Sequence, residues 1–181
     1  MRVCVRVLLL GAFLWLAGCA ASVQRPESVY GAPSLQGRPA GSLTLLVKPN
    51  GAIAQSKDWN DFRNEWREAM TAAAAGAGIP FSFLDQESDV HLATGTLVVV
   101  TVNDYRYLSA GSRILFGVLT GNAYIDASAG YFELPQKRPL GERVYNTSSS
   151  AWQGIFSAMT SKQIAAICAE IVGEFGRAPR T

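Results

Sequence analysis

The side chains best suited to chemistry are few. His91 is the single histidine in the chain. A zinc site needs several His, Cys or carboxylate ligands at set spacings, and no cysteine stands near His91, so it reads as a surface or packed strand residue. A serine triad could borrow that histidine, but there is no Gly-x-Ser-x-Gly elbow. There is no phosphate-binding Gly-rich loop with its Lys-Ser/Thr either. Asp85, Glu87 and Asp89 alternate and could face one cation. A calcium loop of EF-hand type counted from Asp85 wants glycine at 90 and a carboxylate at 96, where Val90 and Thr96 stand. A solvated turn is the better expectation. Carboxylates paired for glycoside hydrolysis meet in space and not in sequence, so that chemistry is left open. Cys168 lies in an apolar stripe at helical spacing and reads as a small core residue, not a reactive thiol. The expectation is no catalytic residue, no metal and no cofactor.

Cys19 is different. Arg2 and Arg6 precede an apolar run from Val7 to Leu16, too short to span a bilayer at about 20 residues. Leu16-Ala17-Gly18-Cys19 closes the run in the manner of a secretory signal. It resembles a lipobox, the signal read by bacterial lipoprotein-processing enzymes. That likeness implies cleavage before Cys19 and acylation there, with the thiolate as nucleophile. Two or more acyl chains hold a protein stably on a membrane. Ala20 takes the place where, by the enteric sorting rule, an aspartate would retain the protein at the inner membrane, which favours the periplasmic face of the outer membrane.

The chain has 16 basic and 14 acidic residues. Loss of 1–18 removes Arg2 and Arg6 and leaves 14 of each. A neutral surface without a Lys/Arg run argues against nucleic acid. With Cys4 cleaved and Cys19 acylated, Cys168 has no partner for a disulfide. Residues 20–41, rich in Ala, Ser, Pro and Gly, read as a flexible tether that could reach roughly 70 Å. Residues 42–181 suit one domain.

The elements that must position any site follow from periodicity. Leu43 to Val47 predicts a strand stopped by Pro49-Asn50-Gly51. Trp59, Phe62, Trp66, Met70 and Ala73 recur at helical spacing, with Ser56 or Asp58 as cap and Gly76, Gly78 and Pro80 at the end. Phe81–Leu84, 90–102, 122–134 and 142–146 read as further strands. In the fourth of these five strands (122–134) the apolar phase changes at Gly130, which predicts a bulge. Ile164, Ile167, Cys168, Ile171, Val172 and Phe175 predict a last helix, with Thr160 and Gln163 at capping-box spacing. The order β-α-β-β-β-β-α predicts an α+β fold, a mostly antiparallel sheet of about five strands with two helices packed on one face.

Two segments carry more large apolar residues than a connection needs. Residues 105–121 include Ile114, Leu115, Phe116, Val118 and Leu119; residues 145–160 include Trp152, Ile155, Phe156 and Met159. The plainer reading folds both over the core. The functional reading makes Phe116, Trp152 and Phe156 exposed anchors for a protein or for the bilayer.

Val102-Asn103-Asp104-Tyr105-Arg106-Tyr107, Gly121-Asn122-Ala123-Tyr124-Ile125-Asp126 and above all Tyr145 through Thr160 resemble the domain of unknown function 4410 family of bacterial lipoproteins, over about residues 40–175. That resemblance implies an envelope lipoprotein and brings no assigned activity. By fold-level analogy it also resembles small α/β modules of lipoproteins that assemble secretion pores or activate wall synthases. The leading expectation is a non-enzymatic envelope lipoprotein that binds another protein. The rivals are a carrier of a small apolar ligand or lipid, held between sheet and helices, and a wall- or glycan-active enzyme. The anchor is directly testable: Cys19→Ser should abolish metabolic lipid labelling and leave uncleaved precursor or soluble product. Normal labelling and membrane fractionation of the variant would refute it.

Overall fold

A computed structural model describes residues 23–26, 33, 41–92, 95–107, 123–148 and 159–176. The strands are β1 (Val23–Gln24), β2 (Leu43–Pro49), β3 (Phe81–Leu84), β4 (Thr96–Arg106), β5 (Tyr124–Glu133) and β6 (Arg138–Ser148). The helices are α1 (Trp59–Ala77) and α2 (Met159–Gly176), and short 3-10 turns run over Gly51–Gln55 and Glu87–Leu92. The fold is α+β as expected, with both helices on one face of the sheet. Its sheet is larger and less regular than expected: six strands in the order β1-β6-β5-β4-β2-β3, and mixed in direction. β2 runs parallel to β3 and to β4, while β4, β5, β6 and β1 form antiparallel pairs. Among the described residues no helix is long and apolar enough to cross a membrane.

α1 buries Trp59, Phe62, Trp66, Met70 and Ala74, the three-and-four spacing of one helical face. Gly78, at φ 68°, is its left-handed cap and donates its N–H to the carbonyls of Ala74 and Ala75. The Asp58 side chain makes no cap hydrogen bond; it takes the Ser56 hydroxyl at 2.5 Å and the Tyr105 hydroxyl at 2.7 Å instead. α2 buries Ile164, Ile167, Cys168, Ile171 and Phe175 against the same core. At its start, Gln163 Nε2 donates to the Ala123 carbonyl at 3.0 Å, tying the helix to the entry of β5.

β5 corrects the expected bulge. Ile125, Ala127, Ala129 and Tyr131 all face the helices and are buried, and pairing with β4 runs evenly from Ala127 through Gly130 to Glu133. The extra residue sits across the ladder on β6, where Tyr131 faces Gly141 and Phe132 faces Pro139. A second shift lies on β4 between Val102 and Asp104. The apparent phase change in β5 is two apolar faces: Phe132 and Leu134 belong to a separate cluster with Leu46, Val90 and Leu97 on the helix-free side. β4 likewise begins later than expected, because residues 87–92 form a 3-10 turn that drops Val90 into that cluster.

β1 lies inside the stretch read as a tether. Val23 faces Thr147 and Gln24 faces Asn146, Val23 packs on the core, and Arg25 pairs with Glu170 at 2.8 Å. Residues 20–41 are therefore not free chain throughout.

Gly95 precedes β4 at φ +85°, and a Cβ there would stand 2.3 Å from the Ser42 carbonyl oxygen, the group that accepts the Thr96 N–H at 2.9 Å. Gly95→Ala should lower stability by more than about 1 kcal/mol. Gly76, in helical backbone with open space around it, should gain up to about 1 kcal/mol on change to Ala. Urea midpoints of the two variants check the pair, and equal midpoints would contradict it.

Candidate functional site

The two faces of the sheet have opposite characters. The covered face is filled by fully buried side chains, among them Phe62, Trp66, Met70, Ile164 and Ile167. Near the Tyr131 end of β5 it holds a polar pair: the Tyr131 and Tyr145 hydroxyls lie 3.1 Å apart. The adjacent ion pair of Arg143 with buried Glu174 spans 3.3 Å. Burial, first of all, pushes Tyr145 up to about 12 and raises Tyr131 well above the ordinary phenol value. Both phenols stay neutral, and each spares the other an unpaired buried hydroxyl.

Among the described residues no helix covers the opposite face of the sheet. In its lower part, towards Thr96 and Glu133, the cluster of Leu46, Val90, Leu97 and Leu134 is extended by half-buried Leu84, Val99 and Phe132. In its upper part a row of polar side chains crosses the strands. Asn50 Nδ2 donates to Asn103 Oδ1 at 3.2 Å, and Asn103 Nδ2 donates to Asp126 Oδ1 at 3.3 Å. Asn146, with its amide nitrogen turned to Asp126, donates to the same oxygen at 3.2 Å. Over the lower part, and up to Thr101 and Ser128, lies a groove of about 780 Å³. Leu46, Leu97, Val99, Phe132 and Leu140 give it an apolar floor, Thr101 and Ser128 add hydroxyls, and Lys48, Glu87, Lys137 and Glu142 supply charges. Such a volume lies within the range of ligand sites, about 300–1,000 Å³.

One end of the sheet gathers a second set of groups. Tyr105 stacks on Phe62 with ring centroids 4.1 Å apart and gives its hydroxyl to Asp58. Tyr107 donates to Glu65 Oε1 at 2.7 Å, and Ser161 donates to the other oxygen of that carboxylate at 2.7 Å. Burial raises Tyr105 to about 12, opposed by the Ser56 hydrogen bond and reinforced by Asp58. Burial and then Glu65 push Tyr107 up as well. These bonds tie the end of β4 to the starts of both helices. They are positioning contacts, since each acid is occupied by a hydroxyl.

The expected chemical residues are placed as follows. His91 is exposed on a 3-10 turn, not a strand, with Nδ1 2.6 Å from the Ser88 carbonyl. Asp85 takes Arg63 at 2.7 Å and Arg67 at 2.5 Å, while Glu87 pairs with Lys48 at 3.6 Å. The three alternating acids thus turn to different partners or to solvent. Among the described residues no group of three or more His, Cys, Asp or Glu is placed to hold a metal ion. Cys168 is buried, and burial alone raises its thiol well above the ordinary range. Cys19, Phe116, Trp152 and Phe156 lie outside the described residues. The strand ends that flank their segments are described, however. Arg106 pairs with Tyr124 and Tyr124 with Ser148, so these three strand ends lie side by side. The groove was not expected from sequence, although Leu97 and Val99, apolar on the second face of β4, carry its signal.

No family model matches the chain, and no curated protein matches it in sequence. Membership of the family named from sequence is therefore not shown. Solved structures do share the fold. PelC of Paraburkholderia phytofirmans, described as a dodecamer, aligns at a TM-score of 0.54 with 9% identity, over 88% of this chain and 99% of that one. The DUF330 protein XCC0632 of Xanthomonas campestris aligns at 0.47 with 12% identity, over 82% and 90%. Lipoprotein GNA1162 of Neisseria meningitidis aligns at 0.42 with 14% identity, over 73% and 99%. At these identities the likeness establishes the α+β fold, on the strength of PelC.

The tyrosines give a pH dependence. Tyr105 and Tyr145 hold their protons to about pH 12, against 10.0 for an unperturbed phenol. The unfolded chain releases those protons first. Their stabilising contribution is fully present below pH 10 and is lost as pH rises through about 12. Alkaline titration should show late phenolate absorbance, and Tyr145→Phe should flatten the loss of stability over that window. A decline already complete below pH 10 would contradict this.

Proposed function

We propose that the chain is a lipid-anchored protein of the bacterial cell envelope, held through Cys19, that acts by binding protein through the helix-free face of its sheet. The observation that carries the reading is the groove across β2, β4, β5 and β6, with an apolar floor and charges of both signs on its rim. Large side chains left half-open on one face, while the other is sealed, mark a docking surface. The lipobox-like Leu16-Ala17-Gly18-Cys19 supports the anchor, and Ala20 supports the outer membrane. PelC, with the same fold, is a dodecamer, so a second copy of this chain is the first partner to test. The named family of unknown function stays part of this proposal.

The apolar-ligand reading has one observation in its favour, the size of the groove. It moves the ligand from the sheet–helix interface, which is filled, to the opposite face. Glu87, one of the groove's two carboxylates, is paired with Lys48 and lends no support to glycan chemistry.

The test uses the lipidated protein in membranes, with a photo-crosslinker at Thr101 in the groove or at exposed Ala165 on α2. Thr101 should give an adduct at twice the chain mass, absent from Ala165 and lost on Phe132→Lys without a drop in melting temperature. No adduct, or equal adducts from both positions, would remove the docking role from this face.

A further inference from the structure

We infer that the occupant of the groove is a second copy of this chain, packed face to face about a twofold axis along the strands, with Lys48 of each copy set against Glu142 of the other. This rests on the docking role proposed for that face and adds the partner and its register.

Cross-strand pairing fixes where the two charges stand. β2, β4, β5 and β6 lie side by side in that order, so the rims of the groove are three strand spacings apart, about 14 Å. Lys48 on β2 is opposite Thr101, and Thr101 is opposite Ser128. Glu142 on β6 is opposite Gly130, two residues further along β5. All five residues line the groove. The chain thus sets a cation on one rim and an anion on the other, within about 7 Å of the same level along the strands.

Two sheets packed face to face in an aligned sandwich keep their strands within about 30° of each other. A twofold axis along the strands then lays the β2 rim of one copy over the β6 rim of the other. By symmetry the contact forms twice, Lys48 to Glu142 of the partner subunit and Glu142 to Lys48 of the partner subunit. Between these contacts each floor of Leu46, Leu97, Val99 and Phe132 covers the other, and half-buried Val99 and Phe132 leave water. A rim with unlike charges on its two sides is self-complementary and needs no second sequence to match it. A partner surface of one sign, an anionic bilayer included, meets repulsion along one rim. Lys48 can exchange partners, because its contact with Glu87 spans 3.6 Å between side chains that are 42% and 61% exposed, where an ion pair adds little. The charges select the partner and the register, while the apolar floor supplies the affinity.

The test uses lipidated protein in membranes, with the photo-crosslinker at Thr101 and the adduct at twice the chain mass as readout. Lys48→Glu alone and Glu142→Lys alone should each lower the yield several-fold, because both rim contacts then join like charges. Two combinations should restore it: both substitutions in one chain, and an equal mixture of the two single variants, whose adduct should hold one chain of each. Melting temperatures equal to the parent's show that lost yield is lost contact. Should Glu142→Lys melt lower, Glu142→Gln takes its place and should relieve the loss caused by Lys48→Glu in the same chain. Yields that ignore both substitutions, or that fall without rescue by either combination, would overturn the pairing. So would a Thr101 adduct to lipid or to another protein in place of the second copy. An unaltered chain that gives no adduct from Thr101 fails earlier, at the docking role of the face, and takes the pairing with it.

Discussion

Two helices settle on this sheet because its central antiparallel strand is nearly bare on the covered side. β5 sends Ile125, Ala127, Ala129 and Tyr131 towards the helices, and all four are buried. Two methyl groups in the middle of that row leave the volume to be filled from above, by Phe62, Trp66 and Met70 of α1 and Ile164, Ile167 and Ile171 of α2. Protein interiors tolerate neither voids nor overlap, so small residues on the strand and large residues on the helices are one constraint seen from two sides. Tyr131 closes the row, and its hydroxyl is buried only because Tyr145 on the neighbouring strand reaches it at 3.1 Å.

No helix covers the other face among the described residues, and its composition follows from that. Where β2, β4 and β5 are apolar on both sides, the 3-10 turn over Glu87–Leu92 lays Val90 on Leu46 and Leu97. Val99 and Phe132 are left half-buried, and the groove is the part that turn leaves uncovered. Where the strands are polar, the amides of Asn50, Asn103 and Asn146 and the Asp126 carboxylate satisfy one another across the sheet. A face so divided keeps its apolar half for contact and its polar half for water.

The helices were legible because a stripe at helical period is a long-range regularity: Trp59 to Met70 and Ile164 to Phe175 read correctly, while the next buried position is Ala74 and not Ala73, and of Gly76, Gly78 and Pro80 it is Gly78 that caps the end. Strands were legible as apolar runs but not in their pairing. Nothing in Leu43–Val47 or Leu97–Val102 states that β2 lies parallel beside β4; that follows from connections returning the chain twice to the same end of the sheet. The Gly130 phase change was misread because a strand with two apolar faces imitates a bulge. β1 was missed because two residues carry no period, and its pairing depends on Thr147 and Asn146, far away in sequence. Asp58 failed as a cap because Tyr105, distant in sequence, takes its carboxylate. Of the candidate site, the sequence held the apolar second face of β4 but not the charges of Lys137 and Glu142 that join it across the sheet.

On the proposed reading, the weakness of the open face is consistent with its position. A groove of this size with half-exposed walls offers a partner modest affinity, since binding must first offset lost translational freedom and side-chain ordering. Confinement changes that balance. A lipid-anchored protein meets others on the same surface at high effective concentration, so a contact too weak to persist in solution can persist there. The sealed face and the less covered face each follow from where the described strands place their large apolar side chains.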